Sequence, residues 1–185
     1  PDNRELLECA VAAARGGGDY VLENRHRRGE VIGSFAHDVK LQLDVESQAQ
    51  AESVIRSRYP GHSMLAEEQA DAETRENRGD GLEWIIDPID GTVNFSHGMP
   101  LWCCSVAVRS GEETLAGAVY APALGKLFTA TADGPALCNG RAIKVSATAE
   151  LAAALVVTGM DKSVNPRLGP FAIFKAIASQ VQKAR

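Results

Sequence analysis

The segment that most constrains this chain is residues 84–95, which read WIIDPIDGTVNF. An apolar, strand-like run stops at Asp87, and a second aspartate, Asp90, follows after Pro-Ile. Two carboxylates about 4 Å apart repel each other by roughly 4 kcal/mol at an effective dielectric constant near 20. A bound cation would offset this repulsion at the end of the strand. Hard cations such as Mg²⁺ take carboxylate oxygens as ligands.

The two residues after Asp90 suit a phosphate group. Gly91 and Thr92 offer backbone N–H groups and a hydroxyl where a helical turn would begin, and helix N-termini bind anions. Together with the aspartates, these residues indicate a site for a metal ion and a phosphate. Taken alone, Asp87 and Asp90 are equally well explained as turn residues around Pro88, because aspartate next to proline is common in turns.

Composition excludes several other functions. The 185 residues are 45% hydrophobic, which is enough for the core of one domain or of a large part of one. A net charge of −5 argues against a surface for the phosphate backbone of nucleic acids. The longest apolar runs, such as residues 101–108, are far too short to span a bilayer. We therefore expect neither a nucleic acid polymer nor a membrane as a partner.

The cysteine pattern indicates the compartment. Cys9, Cys103, Cys104 and Cys138 form no CxxC pair and no secreted-type disulfide framework. Cys103 and Cys104 lie inside an apolar run, where we expect buried thiols. The first residues also lack the layout of a signal peptide. These features predict a reducing, cytoplasmic setting.

Hydrophobic periodicity predicts helices at both ends of the chain. Residues 5–24 have helical spacing, but three glycines at 16–18 cost about 2–3 kcal/mol relative to alanine, so we expect a break there. Residues 44–59 indicate a second helix, which Pro60-Gly61 ends. A last helix is expected after Asn165, with one apolar face that needs a surface to pack against.

Alternating and apolar runs predict the strands between these helices. They cover residues 38–44, 63–66, 82–86, 102–109, 114–120, 126–132 and 152–158. Helices that lead and follow a largely antiparallel meander indicate a layered α+β fold. Because the last helix lacks a packing partner, we expect residues 1–185 to be the N-terminal, metal-binding part of one domain whose C-terminal part is missing.

Two further acidic sites follow predicted strands. They are Asp44 and the pair Glu67-Glu68, and functional groups often collect at strand ends. Taken alone, Asp44 is better explained as a helix N-cap. The glutamate pair is better explained as the solvated entry to a loop. The residues by themselves leave these alternatives open.

The joint pattern resembles a known family. Residues 84–97, WIIDPIDGTVNFSH, are similar to the signature of the inositol monophosphatase superfamily, which contains Mg²⁺-dependent, often lithium-sensitive phosphatases of sugar and nucleotide phosphates. Further resemblances lie around it, at residues 60–68, 117–122 and 137–146. The resemblance runs over nearly the whole chain. It implies the layered α/β/α/β/α sugar-phosphatase fold, with a largely antiparallel sheet packed between helices.

The resemblance implies a metal site. The carboxylates of Glu67, Asp87 and Asp90 would hold Mg²⁺, with the backbone carbonyl of Ile89 as a further ligand. Asp87 would be shared between two metal positions. Glu68 would lie behind these ligands and support them, as the partners of metal ligands commonly do.

The resemblance also implies catalytic and phosphate-binding roles. Thr92, oriented by Asp44, would position the attacking water, and Glu67 would act beside them through the metal. Asp90 together with the N–H groups of Gly91 and Thr92 would contact the phosphate. The implied reaction is Mg²⁺-dependent hydrolysis of inositol monophosphate or a related sugar phosphate. Alternatives are a phosphatase of 3′-phosphoadenosine 5′-phosphate or fructose 1,6-bisphosphate, and a non-catalytic metal-binding or regulatory relative. Family members are often dimers, so a homodimer is a possible assembly.

Two departures from the family pattern matter. Ala66 stands where the family usually has glycine before the paired glutamates, and we expect it to be tolerated if the backbone there is extended. The family also carries a metal-binding aspartate in a Trp-Asp pair far downstream. The only tryptophans here are Trp84 and Trp102, and neither precedes an aspartate.

Overall fold

A computed structural model describes residues 1–34, 39–66, 81–157 and 169–184. It divides the chain into two compact units, Pro1–Ile143 and Lys144–Arg185. The first unit contains every predicted site residue that the structure describes. No helix in these described ranges is long and apolar enough to cross a membrane.

The first unit consists of three helices and nine strands in the part of the chain described. Their bounds are α1 Asn3–Glu23, β1 Val31–Ser34, β2 Val39–Leu41, α2 Gln42–Arg58, β3 Ser63–Ala66, β4 Leu82–Asp90, α3 Thr92–Ser96, β5 Cys103–Ser110, β6 Glu113–Ala121, β7 Lys126–Thr131, β8 Leu137–Cys138 and β9 Arg141–Ala142. The second unit contains β10 Leu155–Val156, α4 Gly169–Ala178 and β11 Lys183–Ala184, with β10 and β11 paired in parallel.

One sheet organises the first unit. Strands β3 to β9 lie side by side in chain order, with β3 parallel to β4 and every later neighbour antiparallel. Strands β1 and β2 form a separate antiparallel hairpin. Helices α1 and α2 pack against each other and against this sheet. The predicted α+β class with a largely antiparallel sheet is confirmed.

The predicted break at the three glycines of α1 is wrong. Helix α1 runs unbroken from Asn3 to Glu23, and it begins where the Asp2 carboxylate accepts a 2.8 Å hydrogen bond from the Glu5 N–H. Gly17 and Gly18 are buried, and a Cβ atom on Gly18 would lie 2.8 Å from Tyr120 Cδ1. The glycines therefore allow close packing against the sheet, and this packing offsets their low helix propensity.

The main hydrophobic core lies between the two long helices and the sheet. Trp84 is fully buried, and its indole N–H donates to His62 Nδ1 at 3.0 Å. Side chains from α1, α2 and four strands surround it, including Leu6, Ile55, Ile86, Val106, Val108 and Ala118. A second, smaller core contains Val21, Leu41, Leu43, Ile89, Phe95 and Trp102. This second core supports the residues that follow Asp87.

Strand β4 is longer than predicted because it continues through Pro88 to Asp90. Proline cannot donate a ladder hydrogen bond, and within sheets it is confined to edges, strand starts and bulges. The register of β4 with β5 shifts between Asp87 and Asp90, so Pro88 lies in this irregular stretch. The irregular pairing thus lets a proline-containing segment remain part of the sheet.

Other boundaries also differ from the predictions. The strand expected over residues 38–44 is only Val39–Leu41, because α2 already begins at Gln42. The strand expected over 152–158 is reduced to Leu155–Val156 after a short 3₁₀ turn. Asn165, the expected cap of the last helix, lies outside the described residues.

A polar network joins the end of α1 to α2. Arg27 pairs with Glu30 at 2.7 Å and with Glu46 at 2.8 Å, and the hydroxyl of Tyr20 donates to Glu46 at 2.8 Å. The hydrogen bond from Arg27 is the main reason that the pKa of Glu46 is lowered to about 2.

Candidate active site

One polar cavity gathers most of the predicted site residues. It has a volume of about 350 Å³ and lies where β4 ends and α3 begins. Its lining residues are Asp87, Ile89, Asp90, Gly91, Thr92, Val93 and Asn94. A second cavity, of about 340 Å³ over β6 and β7, has no ionisable side chain in its lining. The first cavity is therefore the candidate active site.

The end of β4 brings the two aspartates to this cavity. Asp87 lies opposite Ser105 on β5, and Asp90 lies opposite Cys103, with the irregular stretch between them. Asp87 is half-buried, Asp90 is exposed, and Ile89 between them is buried in the second core. The core-facing residues of the segment thus anchor it and leave its acidic groups at the cavity.

Gly91 is required by its backbone geometry and by its surroundings. Its φ angle is +94°, a left-handed conformation that L side chains rarely adopt. A Cβ atom at this position would lie 2.8 Å from the carbonyl oxygen of Leu101. Asn94 Nδ2 donates to that same carbonyl at 2.9 Å, which ties α3 to the chain before β5. Glycine therefore makes the tight turn from β4 into α3 possible.

Thr92 interacts directly with another predicted site residue. Its hydroxyl donates to the backbone carbonyl of Ile89 at 2.8 Å. A carbonyl oxygen has two lone pairs, so Ile89 retains acceptor capacity for a metal ion. The orientation of Thr92 by Asp44 stays a prediction.

Asp44 is a buried residue in the first turn of α2, with 2% of its surface exposed. The alternative in which it is the N-cap is wrong, because Leu41 takes that position and Asp44 is the third residue of the helix. Asp44 Oδ2 accepts a 2.6 Å hydrogen bond from the Leu41 N–H. The carboxylate therefore satisfies a backbone donor at the helix start, as in one half of a capping box.

The predicted glutamates Glu67 and Glu68 lie outside the described residues. Strand β3 ends just before them at Ala66, which pairs with Ile86, the neighbour of Asp87. Ala66 lies in extended strand backbone. Alanine was expected to be tolerated in place of glycine if the backbone was extended here, and it is.

The donor set fits Mg²⁺. Asp87 and Asp90 supply carboxylate oxygens and Ile89 a carbonyl oxygen at one cavity. Within the described ranges, no group of three or more His, Cys, Asp or Glu side chains is placed to hold a metal ion. Mg²⁺ is commonly bound through one or two carboxylates while it keeps several waters, so these oxygen donors are of the kind that it takes.

Sequence reasoning missed the contact between Cys103 and Asp90. The thiol of Cys103 lies 3.7 Å from Asp90 Oδ2, and it is the donor of this weak hydrogen bond. Burial and then the charge of Asp90 raise the pKa of Cys103 to about 12, so the thiol stays protonated at neutral pH. Cys104 is fully buried as expected, whereas Cys103 is only half-buried. Only the cross-strand register between β4 and β5 brings Cys103 and Asp90 together.

A model of one family matches almost the whole chain. Its description is "Inositol monophosphatase family", and the match covers residues 2–184. Among curated proteins, the chain is 34% identical over 176 residues to the Nus factor SuhB of Haemophilus influenzae, covering 93% of this chain and 64% of that protein. It is 35% identical over 164 residues to the inositol monophosphatase of Dictyostelium discoideum, covering 86% and 59%.

A solved structure shows the same architecture. The crystal structure of the extragenic suppressor protein suhB from Bartonella henselae superposes with a TM-score of 0.87 at 27% identity, and the match covers 98% of this chain and 69% of that one. The chain thus spans about three fifths of the length of the two curated relatives.

Proposed function

The chain belongs to the inositol monophosphatase family, and on that premise we propose that the protein hydrolyses a small phosphate monoester with the help of bound Mg²⁺. The observation that carries the proposal is the shared cavity of Asp87, Ile89, Asp90, Gly91 and Thr92. It combines hard oxygen donors for a cation with backbone N–H groups for an anion.

Each residue at the cavity has a proposed role in binding. Asp87 and Asp90 hold the cation through their carboxylates, and Ile89 contributes its backbone carbonyl. Mg²⁺ bound there would activate a water molecule and offset the charge on the phosphoryl oxygens. The N–H groups of Gly91 and Thr92, with Asp90 beside them, orient the phosphate.

The proposed roles in catalysis concern Thr92, Asp44 and Glu67. The Thr92 hydroxyl, which donates to Ile89 in this structure, holds the attacking water together with Asp44 when substrate is bound. The hydroxyl can keep its hydrogen bond to the Ile89 carbonyl in this role, because its oxygen also has lone pairs that accept a hydrogen bond from the water. Glu67 supplies a third carboxylate, and Glu68 supports it.

The proposed substrate is inositol monophosphate or a related sugar phosphate. The similarity to the inositol monophosphatase of Dictyostelium discoideum supports it. Phosphatases of 3′-phosphoadenosine 5′-phosphate and of fructose 1,6-bisphosphate are the alternatives within the same chemistry. Turnover of the three substrates measured side by side at equal Mg²⁺ distinguishes them.

The direct test is phosphate release from inositol 1-phosphate with Mg²⁺ and with a chelator. We expect chelation to abolish release and Asp90→Asn to reduce it at least about 100-fold, because a charged ligand is lost. Asp133→Asn is the matched control, since Asp133 is exposed and contacts Asn3 away from the cavity. Full activity in chelator, or in Asp90→Asn, would reject the proposal.

A second candidate is a regulatory protein that binds metal without turnover. The similarity to a protein named Nus factor SuhB favours it. Mg²⁺ binding by calorimetry, together with no phosphate release from any of the three substrates, would support this candidate. Lithium sensitivity, a homodimer, a cytoplasmic setting and the absence of nucleic acid and membrane partners stay predictions. Inhibition by Li⁺ and light scattering of the purified protein test the first two.

A further inference from the structure

Gly17 of α1 packs closely against one residue of α2 and one of β5. A Cβ atom on Gly17 would lie 2.8 Å from Ser47 Oγ and 3.0 Å from Cys104 Sγ. It would also lie 3.2 Å from the backbone carbonyl oxygen of Ser47. Real Cβ atoms essentially never approach within 3.0 Å, so a side chain at position 17 would force the Ser47 hydroxyl or the helix to shift. We call Gly17, Ser47 and Cys104 the glycine seat.

The glycine seat holds the Ser47 hydroxyl against the metal motif. Ser47 is fully buried, and its Oγ donates to the backbone carbonyl of Pro88 at 3.3 Å. A buried hydroxyl and a buried carbonyl both need partners, and each of these satisfies the other. Pro88 lies in the irregular stretch between Asp87 and Asp90, where regular ladder pairing with β5 is interrupted. A side-chain donor from α2 thus contacts the backbone of this irregular stretch.

The Pro88 carbonyl is well placed to orient the flanking ligands. It belongs to the peptide unit that joins Pro88 to Ile89, and this unit is planar. Holding its oxygen therefore also fixes the direction of the Ile89 N–H and the start of the Ile89 backbone. The Ile89 carbonyl and the carboxylates of Asp87 and Asp90 are attached to this short segment.

We propose that Ser47 is a positioning residue for the metal-binding segment 87–90. In this proposal, Gly17 leaves room for the Ser47 side chain to donate its hydrogen bond to the Pro88 carbonyl. The inference rests on the proposed function, because it assigns Ser47 an effect on Mg²⁺ binding. Ser47 is not among the residues that line the cavity. It acts through the backbone of Pro88.

The experiment compares Ser47→Ala with a matched control on the same helix. Ser57 also lies in α2 and its Oγ donates to a backbone carbonyl, that of Val54 at 2.7 Å, but it is exposed. Two quantities are measured: amide hydrogen exchange of residues 89–91 in metal-free protein, and Mg²⁺ affinity by calorimetry. We expect Ser47→Ala to speed exchange in this segment and to weaken Mg²⁺ binding about tenfold, the low end for residues behind metal ligands. Ser57→Ala should change neither quantity.

A second variant keeps the test informative if Ser47→Ala folds poorly. Ser47→Cys nearly preserves the buried volume but replaces a hydroxyl by a weak S–H donor, so both effects should be intermediate. Gly17→Ala, which crowds Ser47, should shift both quantities in the same direction as Ser47→Ala.

The outcomes separate the two proposals. Unchanged exchange at residues 89–91 in Ser47→Ala overturns the positioning role. A uniform loss of protection across the first unit, with unchanged Mg²⁺ affinity, also overturns it, because this is what a purely structural residue produces. Failure of the unmutated protein to bind Mg²⁺ would reject the proposed function. The exchange data, taken without metal, would still decide whether Ser47 holds the segment.

Discussion

Thr92 and Ile89 bind each other across the start of α3: the hydroxyl of Thr92 donates to the Ile89 carbonyl at 2.8 Å. A proposed catalytic hydroxyl is therefore hydrogen-bonded directly to a proposed metal ligand. A change at Thr92 therefore affects both groups. This coupling gives the first prediction.

Removing the Thr92 hydroxyl should reduce activity with little loss of stability. Thr92→Val keeps the branched shape, and Thr92 is only partly buried, so the fold should tolerate it. We expect kcat for phosphate release to fall about 100-fold, a typical cost of removing one catalytic hydrogen-bonding group. Thr92→Ser retains the hydroxyl and should stay within about tenfold of the unmutated protein. Equal rates for the valine and serine variants would contradict a role for the hydroxyl.

Gly91→Ala should destabilise the first unit by about 1–3 kcal/mol, because the backbone is left-handed and the new Cβ meets the Leu101 carbonyl at 2.8 Å. Gly125→Ala is the matched control. Its φ is +60°, but a Cβ there meets nothing within 4 Å, so only the conformational cost applies. Urea unfolding of both variants measures the difference. A Gly125→Ala variant that loses as much as Gly91→Ala would show that the contact with Leu101 is unimportant.

Glu46 should make stability depend on pH in the acid range. The hydrogen bond from Arg27 lowers the pKa of Glu46 to about 2, from an ordinary value of 4.5. A carboxyl group whose pKa is lower in the folded protein stabilises the folded state at pH values above its unfolded pKa. This contribution is lost as the pH falls through the pKa of the folded state. The unmutated protein should therefore be more stable than Glu46→Gln above pH 4.5, and the two should converge near pH 2.

The control for this prediction is the exposed pair of Arg4 and Glu8, in which the two side chains are 86% and 60% exposed. Exposed ion pairs contribute little, so Glu8→Gln should change stability negligibly at any of these pH values. Urea unfolding at pH 7, 4, 3 and 2 measures all three proteins. A difference between the unmutated protein and Glu46→Gln that persists unchanged at pH 2 would contradict the assignment.

Cys138 should react with thiol reagents before the other cysteines. Burial is the main cause that raises the pKa of Cys9 to about 11 and the pKa values of Cys103 and Cys104 to about 12, which suppresses their thiolates at pH 8. We expect one fast thiol in the native protein and four after denaturation. Cys138→Ser should remove the fast phase. Two thiols that react equally fast in the native protein would contradict this, because one of Cys9, Cys103 and Cys104 would then be as reactive as Cys138.

Local pattern was sufficient to predict most of the sheet. Strands β5, β6 and β7 begin and end within one residue of the predicted limits, because alternation with a period of two is present in consecutive residues. Five residues of the motif at 84–95 that were predicted to form the site, Asp87, Ile89, Asp90, Gly91 and Thr92, line one cavity. Asp44 is not among the lining residues, and Glu67 lies outside the described residues. The role of Glu67 stays a prediction.

Long-range packing decided what local pattern predicted wrongly. Three glycines in a row predicted a helix break, but Gly17 and Gly18 lie against Ser47 and Tyr120, which are distant in the sequence. The helix propensity of a residue gives no information about which distant residue it will pack against. The extension of β4 through Pro88 likewise depends on a bulge that only the pairing with β5 defines.

The amino-acid sequence alone determined the family motif, the α+β class and the acidic, glycine-containing turn, since each is encoded in neighbouring residues. Only the tertiary structure decided that the thiol of Cys103 contacts Asp90 and that Ser47 reaches Pro88, across 13 and 41 residues of chain. Such contacts form when strand register and helix packing bring distant residues together. Their geometry depends on every element between them, so no local stretch of sequence specifies it.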